Sequence, residues 1–308
     1  MSEVTYNTAS YAIVTDTACD LPSEWLSEKN VCAVPMYIHM RRNKTMRDYK
    51  DVSVPDFYIT LAQAEGEVTT STPSVDEYKV IYQDLIDKGF ERIISVHVSS
   101  LLSSSYGMAA VAARALNAED KITVMDSKTI SSAQGFIIED LVASRAAGIP
   151  FEEALAHAYT VREFSRMYLV PAPGRTMGHN GRRVTGLRGK IHQLLAQMSG
   201  TRELFVLDSD GGFSRITSST VLVRLAGAIV REMSVFSHEY GPVAYAEIGS
   251  GMPRDLATVE KPMNTNEFEK RRIRISNVGA ATAVHVGVGA IGVAFLPDGY
   301  IGALDTSV

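Results

Sequence analysis

A chain of 308 residues with a formal charge of −5 and 45% hydrophobic residues is long enough for about two globular domains. Its mild acidity argues against a nucleic-acid partner, which needs a clustered basic face. The densest basic stretch, Arg175 to Lys190, is interrupted by glycines and does not read as a recognition helix. Two cysteines, Cys19 and Cys32, supply neither a disulfide framework nor a four-ligand metal site. They read as reduced thiols of a cytoplasmic protein. The opening MSEVTYNTAS has no basic and no apolar region, so no signal peptide is expected. The longest apolar stretch, Thr282–Leu296, contains His285 and glycines and falls short of the roughly 18–20 residues of a transmembrane segment.

In chain order, Ala12–Thr15, Val31–Ile38, Ile93–Val98 and Ile122–Met125 are short β-branched apolar runs and predict buried strands. Between them, Pro22–Glu28, Val54–Ala64, Val75–Lys88, Ser104–Leu116 and Ser132–Ala147 predict helices, with Gly89 and Gly148 at C-cap positions. This alternation predicts an α/β fold whose first domain, residues 1–155, is a mainly parallel sheet flanked by helices. The second α/β domain, 156–308, begins in a helical pattern over Phe151–Tyr168. Leu204–Leu207 and Phe213–Thr217 flank Asp208-Ser-Asp-Gly-Gly, a hairpin signal. Thr220–Met233 reads as a helix; Ala244–Ile248, Ile273–Ser276 and Thr282–Val286 read as strands.

Hydroxyl residues cluster in three places: Thr69-Thr-Ser-Thr-Pro-Ser74, Ser99-Ser-Leu-Leu-Ser-Ser-Ser105 and Asp126-Ser-Lys-Thr-Ile-Ser-Ser132. The latter two follow predicted strands and open predicted helices, where parallel sheets bind ligands and helix N-termini attract anions. Helix capping explains each loop taken alone, and Ser74 with Glu77 matches a capping box. Their coincidence at one sheet edge would suit a carboxylate or a phosphate.

Six segments in order resemble the DegV family. Ala12-Ile-Val-Thr-Asp-Thr-Ala-Cys-Asp-Leu-Pro22 is similar to its opening strand and loop, and Thr70-Ser-Thr-Pro-Ser74 to its Thr-Ser-Gln-Pro-Ser. Val98-Ser-Ser-Leu-Leu-Ser-Ser-Ser-Tyr106 resembles Ser-Ser-x-Leu-Ser-Gly-Thr-Tyr, and Val124-Met-Asp-Ser127 resembles Val-x-Asp-Ser. Gly181-Arg-Arg-Val184 resembles Gly-Gly-Arg-Ile, and His285-Val-Gly-Val-Gly-Ala-Ile-Gly292 the family's C-terminal His-x-Gly-x-Gly-Ala-x-Gly. Thr72 departs from the family's glutamine and Ser104-Ser105 from its Gly-Thr.

The resemblance implies a two-domain protein with a ligand tunnel between its domains, binding a long-chain fatty acid such as palmitate or oleate. It also implies a separate ATP-dependent fatty acid kinase subunit that phosphorylates the presented carboxylate for phospholipid metabolism. By position, Ser103 would bond the carboxylate, with Thr70 and Ser71 from a neighbouring loop and His285 from the second domain. Arg183, or Arg182 beside it, would lie near the tunnel mouth. The lipid is the ligand; no cofactor, metal or catalytic residue is implied.

Three rival motifs are weaker. Gly287-Val-Gly-Ala-Ile-Gly292 fits G-x-G-x-x-G, but too little chain follows for an acidic ribose ligand; the glycines are read as close approaches at the domain interface. Asp208-x-Asp210-Gly211 hints at a calcium loop but has Ser219 at the twelfth position, so a hairpin turn is expected. The enzyme alternative is a serine hydrolase or esterase with Ser103 as nucleophile and His285 or His97 as base, without a G-x-S-x-G elbow. His97, in an alternating apolar run, reads better as a hydrogen-bonded core residue. His39, His157, His179, His192 and His238 show no metal-ligand spacing, and no P-loop occurs.

Overall fold

The structure, a computed structural model, describes residues 11–41, 44–64, 68–181 and 198–300. The first half runs β1 (Ala12–Asp16), α1 (Ser23–Glu28), β2 (Val31–Val34), β3 (Tyr37–Met40), β4 (Lys44–Arg47), α2 (Val54–Ala62) and β5 (Thr69–Ser71). It continues with α3 (Val75–Asp87), β6 (Ile93–His97), α4 (Ser105–Ala115), β7 (Ile122–Asp126), α5 (Ser131–Ala146) and α6 (Phe151–Phe164). Strands β2-β1-β6-β7 form an all-parallel sheet in that order, as the βα alternation predicts. Strands β4-β3-β5 form a small antiparallel sheet beside it. Gly89 and Gly148 adopt positive φ just past α3 and α5, where left-handed caps end helices.

The second half contributes β8 (Arg166–Val170), β9 (Arg202–Leu207), β10 (Phe213–Ser219), α7 (Leu222–Tyr240), β11 (Val243–Gly249), α8 (Pro253–Leu256) and α9 (Glu260–Thr265). Then follow β12 (Lys270–Asn277), α10 (Ala280–Val286) and β13 (Ile291–Pro297). Its six-stranded sheet has the order β10-β9-β8-β13-β11-β12. Alternation divides that sheet's side chains between two cores. Tyr168, Val170, Val293 and Phe295 pack against Leu225, Ile229 and Met233 of α7. Met167, Leu169, Ala294 and Leu296 face the other way and join Phe136, Ile137 and Leu141 of α5 in a core that crosses the domain boundary. Helix α5 therefore lies between the two sheets, and every residue from Ser131 to Leu141 is buried.

Four expectations are corrected. Val31–Ile38 is two strands in different sheets, because Pro35 has no N–H to continue a ladder. The Phe151–Tyr168 helix ends at Phe164; Ser165 turns extended and the buried run Met167–Val170 becomes a strand. Both its faces are covered, so no alternation marks it. Thr282–Val286 belongs to a helix, not a strand: α10 is buried almost all round and shows no helical period, while its alanines favour the helix. Finally, the glycines of 287–292 make their close approaches inside the second domain. A Cβ on Gly292 would stand 2.6 Å from the Tyr168 carbonyl oxygen, and one on Gly287 would meet Ala172. They also join a helix to a following strand, the reverse of the dinucleotide motif. Position 155 falls within α6, which packs on both α5 and β13. No helix among the described residues is long and apolar enough to cross a membrane.

Candidate functional site

Parallel strands β1, β6 and β7 end at one sheet edge, and their loops are bolted together there. Ser99 donates from its backbone to Thr129 O at 2.9 Å, and Ser127 to His97 O at 2.9 Å. Asp126 Oδ1 accepts from Ser100 N at 3.2 Å and Lys128 N at 2.9 Å. Ser103 sits in the turn that opens α4, where its Oγ accepts from Ser105 N at 3.3 Å. Ser104, which stands where the family has glycine, has φ −81, a conformation any residue adopts.

Beneath this loop lies a fully buried polar network. Asp16 Oδ2 accepts from Ser105 Oγ at 2.6 Å and Val98 N at 3.1 Å, and Asp16 Oδ1 from Gln134 Nε2 at 3.1 Å. Burial pushes the Asp16 carboxyl up, but its bonds from His97, Ser105 and Gln134 outweigh that and hold it below its usual value. His97 Nδ1 lies 3.2 Å from Asp16 and Nε2 lies 2.7 Å from Ser95 Oγ. The order Asp–His–Ser suggests a triad, yet Ser95 is wholly buried and accepts from Tyr82 OH. His97 is thus a satisfied core histidine. This network fixes the start of α4, and with it Ser103.

The three-stranded sheet meets the second domain. Thr70 pairs with Ile38 on β3, and cross-strand partners share a face. That face packs on α10, and Thr70 Oγ1 lies 2.8 Å from His285 Nε2. Ser71, the next residue, necessarily points to the other face. Its Oγ lies 2.7 Å from His39 Nε2, while His39 Nδ1 contacts Thr45 at 3.1 Å. Thr70 and His285 are therefore brought together, and Ser71's side chain is not beside them. The capping box of Ser74 and Glu77 is present and starts α3. His39 was missed because its partners are found only through strand pairing.

Second-domain loops also reach the Ser99–Ser105 turn. Ser99 Oγ donates to Gly211 O at 2.8 Å, and a Cβ on Gly181 would stand 2.9 Å from Leu102. Arg182 and Arg183 follow Gly181 and lie outside the described residues. The Asp208–Gly212 segment is the expected hairpin turn between β9 and β10. It gathers His179, Asp208 and Asp210 with ligand atoms within 4.8 Å of one another, a grouping sequence spacing did not show. The His179 ring is already engaged, by Asp210 at 3.0 Å and the Phe213 carbonyl at 3.2 Å. The Asp210 bond is the first cause raising its pKa.

A cleft of about 1230 Å³ opens between the domains, lined by Tyr49, Val54 and Tyr58 on one side and Met252, Leu256 and Ile275 on the other. It reaches Asp20 and Gly279 at the start of α10, whereas the Thr70–His285 contact lies at the end of that helix. None of Thr70, Ser71, Ser103 and His285 lines it.

Comparisons bear on this arrangement. A family model described as "Uncharacterised protein, DegV family" matches residues 10–210. A DegV domain-containing protein of Staphylococcus aureus is 26% identical over 289 residues, covering 92% of this chain and 98% of that protein. One from Listeria innocua is 24% identical over 284 residues, covering 91% and 96%. Among solved structures, a DegV family protein from Thermus thermophilus, described for its fatty acid binding, aligns with TM-score 0.79 at 18% identity, covering 94% and 99% of the two chains. A stearic acid-binding protein from Eubacterium ventriosum aligns at 0.77 and 21%, covering 94% and 99%. At these identities the structures establish a shared fold.

Proposed function

Because the chain belongs to the DegV family, we propose that it binds one long-chain fatty acid between its domains and presents the carboxylate to a separate ATP-dependent fatty acid kinase subunit. The observation that carries this reading is the contact of Thr70 with His285, which joins the first half of the chain to the second. Ser103, Thr70 and His285 supply the carboxylate's partners. Ser71, held by His39, steadies the strand that carries Thr70. Arg183, or Arg182 beside it, keeps its proposed role at the tunnel mouth on the family resemblance alone, since both lie outside the described residues.

The physics favours this division of labour. A carboxylate taken into apolar surroundings costs several kcal/mol unless its oxygens are bonded, and charge-assisted bonds return about 1.5–3 kcal/mol each. The tail adds about 0.8 kcal/mol for each buried CH₂. Neither part requires a metal or a cofactor, and the setting is cytoplasmic. Fatty acid binding by structural neighbours from Thermus thermophilus and Eubacterium ventriosum supports the ligand class.

Displacement of a fluorescent fatty acid by palmitate tests the site. Ser103→Ala, Thr70→Val and His285→Ala are each expected to weaken palmitate about tenfold, the loss of one charge-assisted bond. Unchanged affinity in all three contradicts the assignment. Ester hydrolysis abolished by Ser103→Ala would instead support the esterase alternative. Acyl phosphate formed only when a kinase fraction and ATP are both added tests the partner.

A further inference from the structure

The start of α10 is held from the first domain. Asp20 Oδ1 accepts from Gly279 N at 2.7 Å and from Thr282 Oγ1 at 2.9 Å. Asp48 Oδ2 accepts from Ala281 N at 3.4 Å, and Tyr58 OH donates to Val278 O at 2.6 Å. Both carboxylates are buried, and Asp20 Oδ2 has no hydrogen-bond partner of good geometry among the described residues. A helix is ordinarily capped by the residue just before it, but that residue here is Gly279, without a side chain. The caps come instead from 259 and 233 positions away in sequence. Two buried acids for seven helical residues is more than capping requires, since each costs desolvation. At the other end of the same helix, about 10 Å away, His285 meets Thr70.

We infer that Asp20 and Asp48 are positioning residues for His285: by gripping the start of α10 they set whether its imidazole reaches the carboxylate site beside Thr70. This rests on the fatty-acid reading above and deepens it. Burial pushes Asp20 up to about 7 and Asp48 up to about 6, each against the bonds it accepts. The groups that act on them most are acids, Asp16, Cys19, Tyr49, Tyr58 and each other, while Glu24, Lys50, Asp51, Glu247 and Glu260 line the cleft that Asp20 borders. The Ser131 hydroxyl lies beside Asp20. Arg274 on β12 also borders the cleft, but its guanidinium is paired with Glu139 and packed against Gly135. The protonated pair is therefore the better-accommodated one.

The test compares palmitate with its methyl ester, which fills the tail site but carries no charge for His285. In the full chain, Asp20→Ala is expected to weaken palmitate about tenfold and leave the ester unchanged. Combined with His285→Ala it adds nothing, because both act through one imidazole. Asp20→Asn keeps the accepting oxygen and restores palmitate binding. Thr282→Val, which deletes one bond to Asp20 at little cost to folding, is expected to give a smaller loss confined to palmitate. Equal weakening of acid and ester in Asp20→Ala and Thr282→Val would make the role merely structural and overturn the inference. So would unchanged palmitate affinity, or an effect additive with His285→Ala. A wild type that binds both ligands equally, or neither, overturns the fatty-acid reading itself and this inference with it.

Discussion

Replacing Arg274 by methionine removes one half of an ion pair buried between the domains. Arg274 on β12 and Glu139 on α5 each expose 3% of their side chains and contact each other directly. Arg274 Nε also donates to Ser276 Oγ at 3.0 Å, and the guanidinium lies 5.4 Å from the Phe136 ring centroid. Taking both charges out of water costs several kcal/mol per ion, offset by their mutual attraction. Arg274→Met abolishes the attraction and leaves Glu139 buried without its counter-charge, a loss of about 3–5 kcal/mol. Adding Glu139→Leu removes the stranded charge, so the double variant is expected within about 1 kcal/mol of wild type, or above it. Urea unfolding midpoints of wild type, both singles and the double complete the cycle. Lys88→Met, which breaks an exposed pair with Asp84, serves as the control and moves the midpoint little. A single Arg274→Met loss under about 1 kcal/mol, or a double variant as unstable as the single, would show that Glu139 is not stranded by loss of its partner.

Gly292→Ala is expected to cost about 1–3 kcal/mol, seen as a lowered Tm, because its methyl would sit 2.6 Å from the Tyr168 carbonyl oxygen and force β13 from β8. Ser105→Ala strands two buried partners, Asp16 and Tyr78, each now bonded at 2.6 Å, and is expected to cost about 1–3 kcal/mol in urea unfolding; Ser105→Thr keeps the hydroxyl and most of the stability. Stability itself should fall as pH rises. Asp20 at about 7 and Asp48 at about 6 stand above the ordinary 3.8, so the folded chain holds protons the unfolded chain has released. That contribution is complete below the ordinary value and lost as pH climbs through 6 and 7, at up to about 1.4 kcal/mol per pH unit for each group. Asp140, raised by burial to about 6, acts in the same direction. Urea midpoints between pH 5.5 and pH 8 should decline, less steeply in Asp20→Asn; midpoints that rise over this range contradict the assignment.

The parallel sheet was legible because β1, β6 and β7 are compact β-branched runs and Gly89 and Gly148 close the helices between them. Legibility failed where burial erased periodicity. The strand Arg166–Val170 and the helix Ala280–Val286 are covered on both sides, so neither shows the alternation or the apolar stripe that would identify it. Thr70, Ser103 and His285 were found through the family resemblance, but their geometry was not. That Thr70 and Ser71 face opposite ways follows only once β5 is known to be a strand. Asp20 lay in the quoted opening motif as an acid between Cys19 and Leu21, both buried; its partners sit in the other domain, beyond any sequence spacing.

Fatty acid binding is tested most directly by denaturing the purified protein, extracting it with organic solvent and identifying the extract by mass spectrometry. About one long-chain acid per chain is expected, with much less recovered from Ser103→Ala. An extract free of fatty acid, from protein that also takes up neither added palmitate nor added oleate, would contradict it.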